Sequence, residues 1–235
     1  MTMPTPLVPT VEPELLPLLQ LGLVSAAPVV IGAPHAGLAG EVREQCARLR
    51  ARYRGLEPAL IPELRPAREL YHAFGIDPTR TRPSSEALLR RVLKDKPFPV
   101  VNNAVDWCNL AAMCSSLPLG LYDADKIAGA VALRRGRAGE SYPGIRKDDV
   151  HLEGRPTLAD SHGPFGNPTS DSLRTAVTET TSRLYLVIFA PRSYPRTDLA
   201  RDTEWIARGF ERHCSGGAAQ PVATWRLGPG GVVPS

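Results

Sequence analysis

The chain has 235 residues, enough for one large domain, or one domain with appendages, around a substantial core. It is 43% hydrophobic and 22% charged, as ordinary globular proteins are, and no apolar run is long enough to cross a membrane. Net charge is only +4, but apart from Lys94, Lys96, Lys126 and Lys147 the cations are all arginine, which suits bidentate phosphate or carboxylate binding and which genomic base composition can equally produce.

The N-terminal "MTMPTPLVPTVEPELLPLLQLGLVSAAP" is Leu-rich and ends in small residues, as a signal peptide would. It lacks a basic start, carries Glu12 and Glu14, and is broken by Pro13 and Pro17, so residues 1–25 read as a loosely packed, poorly ordered arm. "APVVIGA" (27–33) is the expected first buried strand. "AGLAGEVREQCARLRARYRG" follows as a helix, with Leu38, Val42, Cys46 and Leu49 at three- and four-residue spacing and Gly55 ending it. A helix from Pro66 to Phe74 turns at "GIDP". The next begins after Pro83, with Ser84 as N-cap, Glu86 near the positive end and Leu88, Leu89, Val92 and Leu93 as its apolar stripe. Arg90, Arg91 and Lys94 fall on its outward side, either as a solvated face or as a phosphate-contacting one.

"FPVVNNAVDWCNLAAMCSSLPLGLYD" (98–123) predicts a largely buried helix over Asn103–Ser116, closed by "LPLG". Asn102, Asp106 and Asn109 share one of its faces. Buried, they require hydrogen-bond partners, because an unsatisfied buried group costs about 1–3 kcal/mol; backbone groups of neighbouring loops or strands are the expected ones.

Strand-like runs follow at "GAVALRRG" (129–136), "RPTLAD" (155–160) and "RLYLVIFAP" (183–191), the last reading as a strand buried on both faces. Between them lie the Gly-, Pro- and Asp-rich loops "GESYPGIRKDD" and "SHGPFGNPTSD". A helix over Asp198–Cys214, the linker "SGGAAQP", a final strand "VATWRL" and a frayed tail over 228–235 complete a layered α+β chain, with 26–227 as a single domain.

Cys46, Cys108, Cys114 and Cys214 form no CxxC pair, and positions 108 and 114 lie on different helix faces, so neither a zinc site nor a disulfide framework is expected. Reduced thiols suit a cytoplasmic protein. Ser161 beside His162 has no GxSxG elbow and makes no triad. Asp123 and Asp125 read as caps or partners for Lys126 rather than metal ligands. No Walker loop, GxGxxG or zincin motif is present. No cofactor is expected.

From "RPSSEALLRRVL" to "RLYLVIFAP" the chain resembles the editing and tRNA-binding domain of the phenylalanyl-tRNA synthetase beta subunit, in its free-standing bacterial form. Arg82, Pro83, Ser84, Glu86, Leu88, Leu89 and Arg90 match an RPS-EALL-R helix, and Val105, Asp106 and Asn109 a VD--N helix. "LPLGLYDADKIAG" parallels "PLHAFDLDKI-G", Leu133, Arg134, Gly139 and Glu140 parallel "VR----GE", and Asp160, Phe165, Gly166 and "TETTSRLYLVIFA" resemble the pocket wall. The resemblant core spans 80–191.

The resemblance implies a three-layer fold, a β-sandwich of unusual topology flanked by helices. It also implies recognition of the aminoacylated 3′ end of tRNA, with hydrolysis in trans of a mischarged ester by a positioned water and no covalent nucleophile. A substrate pocket would draw on Asn109, Gly120, Tyr122, His162, Phe165 and Gly166, with Asp106, Asn109 and Asp123 as structural polar groups. Arg82, Arg90, Arg91, Arg134, Arg135 and Arg137, with Arg80 on the flank, would face the nucleic acid. No residue is assigned as catalytic. The family's histidine is Gly120 here and its pocket glutamate falls near Ile188, so selectivity against tyrosine does not carry over. The chain lacks the synthetase core and does not aminoacylate tRNA by itself. Two other classes of reading stand beside this one: a binding module for an amino-acid-like small ligand, and an adaptor docking on a synthetase or other partner through the C-terminal helix.

Overall fold

A computed structural model describes residues 7–145, 148–215, 222–228 and 231–234. In chain order its strands are β1 (Thr10–Val11), β2 (Leu19–Ala26), β3 (Leu119–Asp123), β4 (Ala132–Arg135), β5 (Ser141–Pro143), β6 (Asp149–His151), β7 (Pro156–Asp160), β8 (Gly163–Gly166), β9 (Leu184–Pro191), β10 (Val222–Gly228) and β11 (Gly231–Pro234). The helices are α1 (Ala36–Arg52), α2 (Arg65–Ala73), α3 (Ser84–Leu93), α4 (Asn103–Ser115) and α5 (Arg196–Cys214).

β9 is buried along its whole length and lies between β2 and β3 in an antiparallel sheet of order β11-β10-β2-β9-β3. The two-residue period of a strand splits its side chains between two cores. Leu184, Leu186, Ile188 and Ala190 join the core beneath the helices, whereas Tyr185, Val187 and Phe189 join a second one. That second core is closed by Leu133 of β4, Leu158 of β7 and Phe165 of β8, from the four-stranded sheet β1-β4-β7-β8. The architecture is therefore α+β in three layers: helices, the five-stranded sheet, and the four-stranded sheet, with Leu70 of α2 and Phe74 just after it joining the sandwich core.

In the helical layer α4 and α5 pack through Trp107. Its indole is fully buried, donates Nε1–H to the carbonyl of Ile206 at 2.9 Å and lies directly against Gly209. Only a residue without Cβ lets α5 come this close to the ring.

Residues 7–25 are not a loose arm. β2 is buried at all eight positions as the neighbour of β9, and β1 pairs in parallel with β4. Burial on both faces removes the polar alternation that marks a strand in sequence, and Gln20 is accommodated because its Nε2 donates to the carbonyls of Pro191 and Tyr194. The strand expected at 27–33 is instead an irregular segment: Val29 and Val30 donate to Ser182 and Cys214 carbonyls, and Gly32 to Asn103 Oδ1. The "LPLG" that closes α4 runs straight into β3, which takes up its Leu119 and Gly120, β8 lies within the expected loop "SHGPFGNPTSD", and Gly231–Pro234 pairs with β10 rather than fraying. Most of the linker "SGGAAQP", residues 216–221, lies outside the described residues.

Gly209→Ala would place a Cβ 1.9 Å from the Trp107 ring. The clash outweighs the ~1 kcal/mol that alanine gains over glycine in a helix interior, and a net loss of about 1–3 kcal/mol is expected in denaturant unfolding.

Candidate functional site

The site is built from the start of α4. Asn102 is its N-cap, accepting from the Val105 amide at 2.8 Å, and Asp106 reaches back to accept from the Val101 amide at 2.8 Å. Burial raises the Asp106 carboxyl above its ordinary value, and the Val101 and Asn102 amides oppose the rise. α4 ends at Ser116 in the left-handed conformation (φ 60°), and the chain enters β3 through "LPLG". Strand alternation then turns Leu119 and Leu121 toward the helices and Gly120 and Tyr122 toward the sandwich.

Between α3, α4, β3 and the segment 169–177 lies a cavity of about 340 Å³. Its apolar wall includes Leu88, Val105, Leu119, Leu121 and Val177, and Asn109, Ser84, Ser170 and Asp171 supply polar atoms. Among the described residues the Asn109 side chain has no hydrogen-bond partner, so it is not the structural polar group that its helix face suggested; it faces the cavity. Asp171 Oδ2 accepts from the Leu121 amide at 3.3 Å. Its loop is held by Asn167, which accepts from Thr169 and Ser170 amides, and by Tyr71 and Tyr142, which donate to the Pro168 and Ser170 carbonyls. Cys108 also lines the cavity, but burial and the nearby Asp171 carboxylate push its thiol well up, keeping it protonated and a poor nucleophile.

The remaining residues of the expected pocket do not meet Asn109. Tyr122 is fully buried in the sandwich core, edge-on to Phe165 with ring centroids 5.0 Å apart. A Cβ at Gly120 or Gly166 would lie 2.0 or 2.2 Å from its hydroxyl oxygen. These glycines admit the tyrosine ring and leave no room for a ligand between them. Burial and the neighbouring Asp171 push the Tyr122 phenol well above its ordinary value, so it stays neutral. His162 is exposed in the β7–β8 turn, where its amide donates to Asp160 Oδ1. Ile188, in the family's glutamate position, is fully buried beside Leu119 in the helix-side core.

Asp123 accepts from the Asp125 amide and Thr181 Oγ1 and pairs with Lys126 at 3.3 Å, while Asp125 is held by Ser182 and Arg183. Among the described residues no cluster could hold a metal.

Most of the arginines expected at nucleic acid are engaged within the fold. Arg90 and Arg82 lie 2.7 and 3.7 Å from Glu86, which also binds Arg68 at 2.9 Å. Arg134 grips Glu140 through both terminal nitrogens, and Arg135 binds Glu14 and the Gly154 carbonyl. Arg91 Nε donates to the Pro97 carbonyl, and Arg80 lies 3.7 Å from Asp77. The Arg137 amide also donates to Glu140. Ser84 is not the cap of α3; Pro83 is, without a side-chain bond. Glu86 was expected only as a favourable charge near the start of α3; its place as a charge hub was nonetheless legible, since Arg82 and Arg90 flank it at four-residue spacing. Asp171 was not, because nothing in "NPTSD" distinguishes a cavity carboxylate from a turn residue.

A family model described as the B3/4 domain matches residues 66–213. No curated protein matches the chain. The crystal structure of an N-terminal fragment of the phenylalanyl-tRNA synthetase beta subunit from Pyrococcus horikoshii is similar at a TM-score of 0.45 and 12% identity. The match covers 99% of this chain and 57% of that one.

Burial alone would raise the Glu86 carboxyl, but Arg68 and Arg90 hold it below its ordinary 4.5. Its contribution to stability is therefore complete above about pH 4.5 and declines as pH falls through the lowered folded value. Glu86→Gln, which leaves three guanidinium groups beside a carboxylate that is no longer there, is expected to cost about 3 kcal/mol at pH 7 and to flatten the acid limb of a thermal-stability profile.

Proposed function

Because the chain belongs to the B3/4 domain family, a domain found in the phenylalanyl-tRNA synthetase beta subunit, we propose that it recognises aminoacyl groups. In this reading it takes the aminoacylated 3′ end of a tRNA into the cavity between α4 and β3. The observation that carries the proposal is the cavity itself: an apolar wall of Val105, Leu119, Leu121 and Val177 for a side chain, with Asn109 and Asp171 supplying polar atoms beside it. Its volume of about 340 Å³ lies at the lower end of small-ligand sites, roughly 300–1,000 Å³, which fits one aliphatic amino-acid moiety with part of a ribose. The reaction class it suits is ester hydrolysis in trans by a positioned water, since the one thiol in the wall is kept protonated. A cytoplasmic setting suits the four free cysteines.

A specific observation favours a second reading, a module for a free amino-acid-like ligand. The engaged arginines offer less free charge to phosphate than their number implies. Docking on a partner through α5 has less support, because its apolar residues Leu199, Ile206 and Phe210 are buried within this chain.

Binding and ester release measured across a panel of mischarged tRNAs at low salt test the proposal. Release, or binding that weakens with salt, is expected, and Ala112→Phe, at a buried residue of the cavity wall, should weaken it by at least about tenfold in a variant whose unfolding remains cooperative. Thermal stabilisation by free amino acids with no effect of tRNA would favour the second reading. No response to either would overturn both.

A further inference from the structure

The last turn of α5 meets the start of α1 through hydrogen bonds whose polarity is fixed at both ends. His35, the N-cap of α1, accepts from the Leu38 amide through Nδ1 at 3.4 Å. A ring nitrogen that accepts carries no proton, so neutral His35 holds its proton on Nε2. That nitrogen lies 3.1 Å from His213 Nδ1, which must accept. His213 then carries its proton on Nε2, which donates to Glu41 Oε2 at 3.0 Å. A carboxylate only accepts, so the far end demands the same tautomer.

We propose that His35, His213 and Glu41 form a pH-operated latch that holds the end of α5 on the start of α1 at neutral pH and releases it in acid. A second proton on His213 goes to Nδ1, where it faces the Nε2–H of His35. His35 must then either move its own proton to Nδ1, opposing the Leu38 amide, or turn away. Both outcomes remove the cap of α1.

The groups facing His213 set the direction. Burial, Arg212 on its own helix and His35 oppose its charging; Glu41 from α1 favours it. From α4 come only the Trp107 ring, 5.2 Å away, and Asn103, both uncharged. Burial is the largest influence and His213 is held below the ordinary 6.5. A base depressed in the folded state stabilises it fully above about pH 6.5, and that stabilisation falls as pH drops below this value. The latch reaches further than α1, because the His213 carbonyl accepts from Asn103 Nδ2 at 2.8 Å and the Cys214 carbonyl from the Val30 amide at 2.8 Å.

The test is an NMR titration of the whole chain from pH 8 to 5, independent of any ligand. His213 ring signals are expected to titrate below 6.5, with the Leu38 amide shifting at the same midpoint. Hydrogen exchange at Val30, corrected for its intrinsic pH dependence, should rise by up to about tenfold per pH unit below 6.5. In His35→Asn, where an amide oxygen keeps the cap without a ring, the Leu38 amide should no longer follow His213. A Leu38 amide unchanged between pH 8 and 5 in the unmodified chain, a His213 midpoint at or above 6.5, or a Leu38 amide that still follows His213 in the variant would overturn the latch. Should the variant fail to fold, the unmodified chain decides alone.

Discussion

The constraint on which the rest depends is that β9 has no solvent face. Each of its side chains must be matched by a neighbour, those of one parity by helices and those of the other by a second sheet. Three layers are the consequence, since a strand buried on both faces needs cover on both. The same parity governs β3, its neighbour at the sheet edge. Leu119 and Leu121 fall on the helix side and border the cavity, and Tyr122 falls on the sandwich side and fills its core. One strand therefore both walls the candidate site and closes the space beside it.

The helical layer is held in register by polar groups that the apolar packing isolates from water. Asn103 donates to the Val30 and His213 carbonyls and accepts from the Gly32 and Ala104 amides, joining α4, α5 and the 29–32 segment at one side chain. Apolar contacts are non-directional and tolerate sliding; a buried amide with all these bonds satisfied does not. Asn103, Asp106 and the Trp107 indole together fix where α4 lies, and α4 carries Val105, Cys108 and Asn109 into the cavity wall.

Legibility in the sequence followed burial. α1, α2, α3 and α5 have one apolar stripe and one wet face, and periodicity places them well. β9 is readable as a doubly buried run because it is bounded by Arg183 and Pro191. β2 has the same physics but sits in "LPLLQLGLVSAAP", where prolines and a leucine-rich beginning imitate a loose arm or leader. The cavity was partly legible: Asn109, which lines it, was named for a pocket, but Gly120 and Gly166, named with it, lie against the Tyr122 ring instead. A glycine shows that something comes close, and sequence alone does not say whether that is a ligand or a side chain of the same protein.

The arginines carry the same lesson for charge. A guanidinium becomes available to phosphate only if no carboxylate within the fold has claimed it. Glu86, with a side chain 3% exposed, requires cationic partners to offset its desolvation, and Arg68, Arg82 and Arg90 surround it. Glu140 claims both ends of the Arg134 fork. Arginine spacing that looks like a nucleic-acid face is thus the other half of a structural ion-pair network, visible once the acidic residues at four- and six-residue separation are counted with it. Under the proposed reading, an acceptor end would take its binding energy from the cavity, and the local excess of cation around Glu86, three guanidinium groups to one carboxylate, would add only steering.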